Sequence, residues 1–407
     1  MRASTVHVRV TPQGTFYMDG YGSDERQSPA LGVHDDPYVV LVLLEQDGSD
    51  LLFASLDVCN ADAEHTAPMR SLLAKATGVP EDRIVISAIH SHSCPTGFRG
   101  NGLVAGQSLG WPEMVCGMAV QASTRLREEL VDVRAELLST HVRGWYSNRN
   151  SAEKPFDDEA LVLRFLDEGG RCVAALANFN CHATVVGPKN MLLTTDVQGA
   201  VRAQLTNWLG VMPYEFTGAS GDLGNRQFRQ GNDFAELARV ANGIAGEIMR
   251  GSFEPIELSA PQMREWRHEI DYDNTAYYGL YREKLAAAQA VLDSPDSSFD
   301  DRKLARTEVR RLAQKLETPR VSFPILMRTY DLGALVIVTF PGELGSTLGM
   351  RIKGMFPGKV VMVIGYANDA QGYFVPEQDF GLGYESFVTQ LPQGGIESVL
   401  DAYEEQL

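Results

Sequence analysis

The chain predicts an α/β fold of mixed α+β order, with a large mixed β-sheet core flanked by helices. Three observations carry that expectation. Short, β-branched apolar runs alternate with amphipathic stretches from the start to about residue 250. A charged, Ala-rich section over about 275–318 reads as an inserted helical hairpin. Three further strand-like runs follow it.

Taken in order, Asp36 to Glu45 and Asp50 to Asp57 read as adjacent strands across a Gln46-Asp47-Gly48 turn. Ala67 to Thr77 reads as a helix that Gly78 stops. Arg83 to Ile89 is a short apolar run, hence a buried strand. Met114 to Leu130 is a long amphipathic helix, and Ala135 to Tyr146 a strand. Ala160 to Leu166 and Val173 to Asn180 flank Glu168-Gly169-Gly170, a hairpin signal. Asp196 to Leu209 and Phe234 to Arg250 read as helices. Tyr277 to Val291 and Asp301 to Leu316 form the hairpin, across Pro295-Asp296-Ser297-Ser298. Val321 to Tyr330, Ala334 to Phe340 and Val360 to Tyr366 are the closing strands, with a helix over Leu344 to Phe356 between the last two. No shift in composition divides the chain, so 1–407 reads as a single domain.

The composition, 44% hydrophobic and 22% charged, is that of a globular protein. Net charge is −17, from 36 Lys+Arg against 53 Asp+Glu. That excludes nucleic acid as a partner, since phosphate binding needs a basic surface. It also disfavours docking on an anionic membrane. No run approaches the ~18 apolar residues of a membrane span, so no stable membrane insertion is expected. The N-terminal residues show no apolar signal region. The five cysteines are odd in number and form no CxxC pair. Both features point to a cytoplasmic protein with reduced thiols. A small-molecule substrate and self-association into a homo-oligomer are the partners this leaves open.

Chemistry gathers at the ends of strands. His90 and His92 follow the apolar run Ile86 to Ile89, and side-chain alternation along a strand would aim both imidazoles one way. Two nitrogen bases at one spot point to metal binding or proton transfer, and the plain alternative is a solvated polar loop. Leu176 to His182 is a second apolar run ending in a histidine. Glu215 to Arg226 is a small-residue loop holding Asp222. Val338 to Glu343 ends in Pro-Gly and a carboxylate, and Val363 to Tyr373 ends in a tyrosine. Strand ends on a common sheet edge are where α/β proteins assemble sites. Two His, one Glu and a further oxygen donor make a chemically sensible zinc set. Singly, each has a structural explanation: His182 as a satisfied core histidine, Glu343 as a turn or helix-cap residue, Tyr373 as packing.

Together these segments resemble the catalytic domain of the neutral/alkaline ceramidase family. Val10-Thr11-Pro12 with Met18 to Gly22 is similar to its opening pattern, and Gly32-Val33-His34-Asp35 continues it. His90-Ser91-His92-Ser93 resembles its HTHS motif, and Asn148-Arg149 its Asn-Arg motif. Asn178 to His182 resembles its NxxCH motif, with Asp196 in the segment that follows. Pro341-Gly342-Glu343 and Gly372-Tyr373 resemble its PGE and Gly-Tyr motifs. The resemblance implies a zinc held by His90, His182, Glu343 and Tyr373. It also implies His92 and Arg149 as catalytic or substrate-orienting groups. Asp196 and Asp222 join them as acid/base candidates.

One departure narrows the reading. Gly224 stands where the family's loop carries a serine, and the proline after it is absent. The family's C-terminal β-sandwich has no counterpart expected here. The leading expectation is therefore a zinc-dependent hydrolase that cleaves an amide or related C–N bond of a small polar substrate with zinc-activated water. A true ceramidase, a zinc glycosidase or lyase on a carbohydrate, and a degenerate binding protein are the alternatives.

Overall fold

A computed structural model describes residues 1–23, 25–100, 108–297 and 299–407. The chain divides into two compact units, residues 1–265 with 328–371, and residues 266–327 with 372–407.

The first unit is layered. Its first sheet has the strand order Ile84–Ala88, Ser49–Leu56, Tyr38–Gln46, Arg2–Arg9, Val131–Asp132. The pairing is antiparallel except between Ser49–Leu56 and Ile84–Ala88, which run parallel. The second sheet has the order Tyr214–Phe216, Cys172–Asn178, Glu159–Leu166, Arg134–His141, Glu254–Ile256. Its one parallel pair joins Cys172–Asn178 to Tyr214–Phe216. Leu335–Thr339 lies parallel to Val360–Ile364 and antiparallel to the strand that ends at Gly333.

Side-chain alternation builds the layers. Val39, Leu41 and Leu43 join Met69 and Leu73 of helix Ala63–Thr77 and Val115 of helix Trp111–Ser123 in one core. The intervening Val40, Val42 and Leu44 face Leu161, Leu163 and Phe165 of the second sheet. The other face of that sheet, Ala160 and Val162, packs with Val201, Leu205, Val240 and Ile244 from helices Asp196–Leu209 and Phe234–Met249. Strands covered on both faces need near-continuous apolar sequence, which is why these runs were so legible.

The expected mixed α/β fold is thus built with its core shared among several sheets, and no barrel closes among the described residues. The helix expected from Met114 to Leu130 spans Trp111–Ser123. Two elements lacked a sequence signal. Arg2–Arg9 carries charge at both ends, and Leu258–Asp273 is a 16-residue strand whose charged residues interrupt any alternation.

In the second unit, helices Tyr278–Asp293 and Phe299–Glu317 form the expected hairpin; Ser298 in its turn lies outside the described residues. Buried Asn274 closes its open end, donating to the Lys315 and Thr318 carbonyls and accepting from the Tyr281 hydroxyl. Helices Tyr384–Val388 and Gly395–Glu404 complete the unit. Among the described residues no helix is long and apolar enough to cross a membrane.

Candidate metal centre

The strand Ile84–Ala88 is wholly buried, and its hydrogen bonding continues past its end. Ile89 N–H donates to Leu56 O, and His90 N–H to Val58 O. His90 then takes a left-handed conformation, φ 66°. It is a turn at His90, not the strand pleat, that brings the two imidazoles together. Their Nε2 atoms lie 3.1 Å apart. Non-glycine residues with positive φ carry strain that the surroundings must hold. Of the five such residues described, His90, Tyr366 and Asn368 lie in the loops at the strand ends, Asp196 opens helix Asp196–Leu209, and Asp47 lies in a hairpin turn.

Three donors converge. His90 Nε2 is 3.0 Å from His182 Nε2 and 3.1 Å from Glu343 Oε2. His182 Nε2 is 3.9 Å from the same carboxylate oxygen. All three residues are buried, and their ligand atoms lie within 4.8 Å of one another. The far nitrogens are committed. His90 Nδ1 lies 2.7 Å from Cys59 O, and His182 Nδ1 lies 3.2 Å from Ser220 O. A carbonyl only accepts, so each Nδ1 carries a proton and each Nε2 is turned toward the other imidazole and the carboxylate. Burial first, then the neighbouring His90 and Arg149, hold His182 well below the usual histidine range, so its Nε2 presents a lone pair. The donor set fits a metal cation, with each imidazole oriented by a backbone carbonyl.

The backbone around these donors is close-packed. A side chain on Gly20 would meet the Cα and Cβ of His92 at 2.5 Å. One on Gly221 would meet the Glu343 carbonyl oxygen at 2.7 Å. Gly221 N–H donates to Leu344 O, and Tyr366 N–H to Gly342 O, so the Pro341-Gly342-Glu343 turn is held from two sides.

His92 is likewise kept neutral, by burial and then by His90, Arg149, Arg26 and Arg99. Its Nε2 faces the cluster, and Tyr21 packs edge-on against its ring at 5.1 Å. Arg149 lies close enough for its charge to act on both His92 and His182. Asp222 sets its position: the Asp222 carbonyl accepts from Arg149 N–H, one carboxylate oxygen from Asn148 Nδ2, and the other from Ser346 N–H. Gly224 pairs with Ser147, so the loop that departs from the ceramidase pattern lies beside the Asn148-Arg149 turn. Asp196 is also a positioning group. Its oxygens accept from the amides of Val185, Val186 and Val197, which pins the segment after His182. Burial raises its pKa to about 6 against those hydrogen bonds.

Tyr373 belongs to the second unit, where its ring packs edge-on against Tyr384. Two residues at the cluster had escaped notice. Tyr366 stacks on His90 at 4.2 Å, and its hydroxyl lies 2.9 Å from Ser220 Oγ. Cys59 places its sulfur near His90 and His92. Tyr366 stands in a segment that was singled out, but its left-handed turn has no sequence signature.

No protein-family model matches the chain. Among known proteins it is 25% identical to a neutral ceramidase of Oryza sativa subsp. japonica over 217 residues, 48% of this chain and 27% of that one. It is 27% identical to the neutral ceramidase of Pseudomonas aeruginosa over 202 residues, 45% of this chain and 30% of that one. These matches span less than a third of the relatives' own lengths. In structure, neutral ceramidase from Pseudomonas aeruginosa superposes over 100% of this chain and 75% of its own, with TM-score 0.75 and 18% identity. The chain therefore has a ceramidase-like fold. The ceramidase-like fold covers its whole length, and a second structure, a ceramidase complexed with C2, repeats the match at TM-score 0.74, 17% identity, over 99% of this chain and 73% of that one.

Proposed function

We propose that this ceramidase-like chain is a zinc hydrolase of an amide or related C–N bond in a small polar substrate. The convergence of His90, His182 and Glu343, with both Nδ1 atoms turned to carbonyls, carries the reading. Two nitrogens and one carboxylate are the donor set of many catalytic zinc sites. Bound there, zinc supplies Lewis-acid polarisation of a carbonyl and a water of lowered pKa.

The chain's own residues do the rest. His92, neutral and with its Nε2 toward the cluster, takes a proton from the attacking water and returns it to the leaving nitrogen. Arg149 stabilises the negative charge that develops on the acyl oxygen. Asp222 and Asp196 orient Arg149 and the His182 segment respectively. A true ceramidase is the second reading, favoured by what the relatives are named. Gly224 in the serine position weighs against it.

The test is hydrolysis of a panel of N-acyl amides, N-acylsphingosine, glycosides and uronates. Turnover of a small amide is expected to vanish on chelation and return with zinc. His92→Ala should lower kcat by about 10²–10⁴-fold. Turnover confined to N-acylsphingosine would favour the second reading. Cleavage of glycosides alone, or activity indifferent to chelation, would refute both.

A further inference from the structure

Three separate loops bring a guanidinium to His92. Arg26, wholly buried, donates through Nη1 to His92 O at 3.0 Å and through Nη2 to Ser93 Oγ at 2.9 Å. Its third contact is to Pro188 O, so all three are to neutral oxygens. Its charge lies 5.1 Å from the centre of the Tyr21 ring that packs on His92. Arg99 is carried in by Asp19, which it contacts at 3.2 Å, next to the Gly20 backbone that abuts His92. Arg149 arrives on the turn held by Asp222.

The acids nearby are mostly engaged elsewhere. Asp196 accepts from three backbone amides, and Asp222 from Asn148 and Ser346. Asp19 offsets Arg99, and Glu343 faces the metal cluster. These four carboxylates stand beside Arg26, Arg99, Arg149 and the nearby Arg229, which contacts Thr184 O, and Asp62 and Glu64 lie against Gly100 next to Arg99. In a chain whose net charge is −17, four guanidiniums gathered at one place make a local field. Arg26 is buried and can act only through its field. Arg99 and Arg149 are partly exposed and can touch a substrate.

We propose that the site selects an anionic substrate: an amide that carries a carboxylate, held by Arg99 and Arg149 beside the scissile bond. This rests on the amide-hydrolase reading above. A planar guanidinium matches a carboxylate in geometry as well as charge. A neutral amide of the same size would gain nothing from these groups.

Calorimetric titration of the zinc-loaded protein with an N-acylglycine and with the uncharged N-acylglycinamide tests it. The acid should bind at least about tenfold more tightly, with a preference that shrinks as salt is raised. Arg99→Leu should abolish most of the preference, and Arg99→Lys should restore part of it. Equal binding of the two compounds, no binding of either, or an unchanged preference in Arg99→Leu would overturn the proposal. Turnover separates the two claims. A protein that prefers the acid yet cleaves no amide keeps the charge selection and loses the amide reading. One that cleaves both compounds equally well loses the charge selection alone.

Discussion

His182→Ala is expected to lower zinc affinity by at least about 100-fold while the fold persists. Losing a residue that merely orients a ligand already costs 10–100-fold in typical metal sites, so losing a ligand should cost no less. The fold should survive because the side chain's one backbone contact is to Ser220 O, and the segment after it is held independently by Asp196. His90→Ala should behave alike, with a further loss of packing against Tyr366. Zinc competition against a chromophoric chelator measures the affinity, and circular dichroism the fold. A His182→Ala protein that holds zinc as tightly as the parent would remove His182 from the ligand set.

The second large effect is on stability. Arg202 of helix Asp196–Leu209 is buried, and its Nη1 donates to Asp57 Oδ1 at 2.6 Å, with Nη2 on the other oxygen. Asp57 also accepts from Tyr38 N–H, and it lies two residues before Cys59, whose carbonyl orients His90. Burial opposes the Arg202 charge, but Asp57 outweighs it and raises the guanidinium pKa. Glu215, fully buried nearby with neither carboxylate oxygen hydrogen-bonded, is pushed well above the usual carboxylate range by burial. Asp57 is the carboxylate that hydrogen-bonds Arg202 directly. Arg202→Met should therefore strand a buried carboxylate and cost about 3–5 kcal/mol. Asp57→Leu combined with Arg202→Met should recover much of that loss, because replacing both partners of a buried pair is far milder than replacing one. Urea unfolding of the three proteins decides. A single variant within about 1 kcal/mol of the parent would show that the pair contributes little.

Much of this architecture was legible because its strands are covered on both faces. Tyr38–Gln46, Ser49–Leu56, Glu159–Leu166 and Cys172–Asn178 are nearly pure apolar runs, and helix Asp196–Leu209 matched its expected bounds. The edges were harder to see. Arg2–Arg9 and Leu258–Asp273 take their strand form from pairing partners, not from their own periodicity. At the site, the histidines and Glu343 were visible as polar residues closing apolar runs. Their convergence was not, since it depends on a left-handed turn at His90 that no residue type announces. The same limit hid Tyr366. Asp196 and Asp222 read from the sequence as acid/base candidates, and their hydrogen bonds show both holding backbone in place.

Whether His90, His182 and Glu343 form a metal site is measured directly by the zinc content of the protein purified without chelator and equilibrated with buffered zinc. Elemental analysis should find close to one zinc per chain in the parent and far less in His182→Ala. A parent protein that takes up less than about a tenth of an equivalent under those conditions would contradict the metal site and the hydrolase built on it.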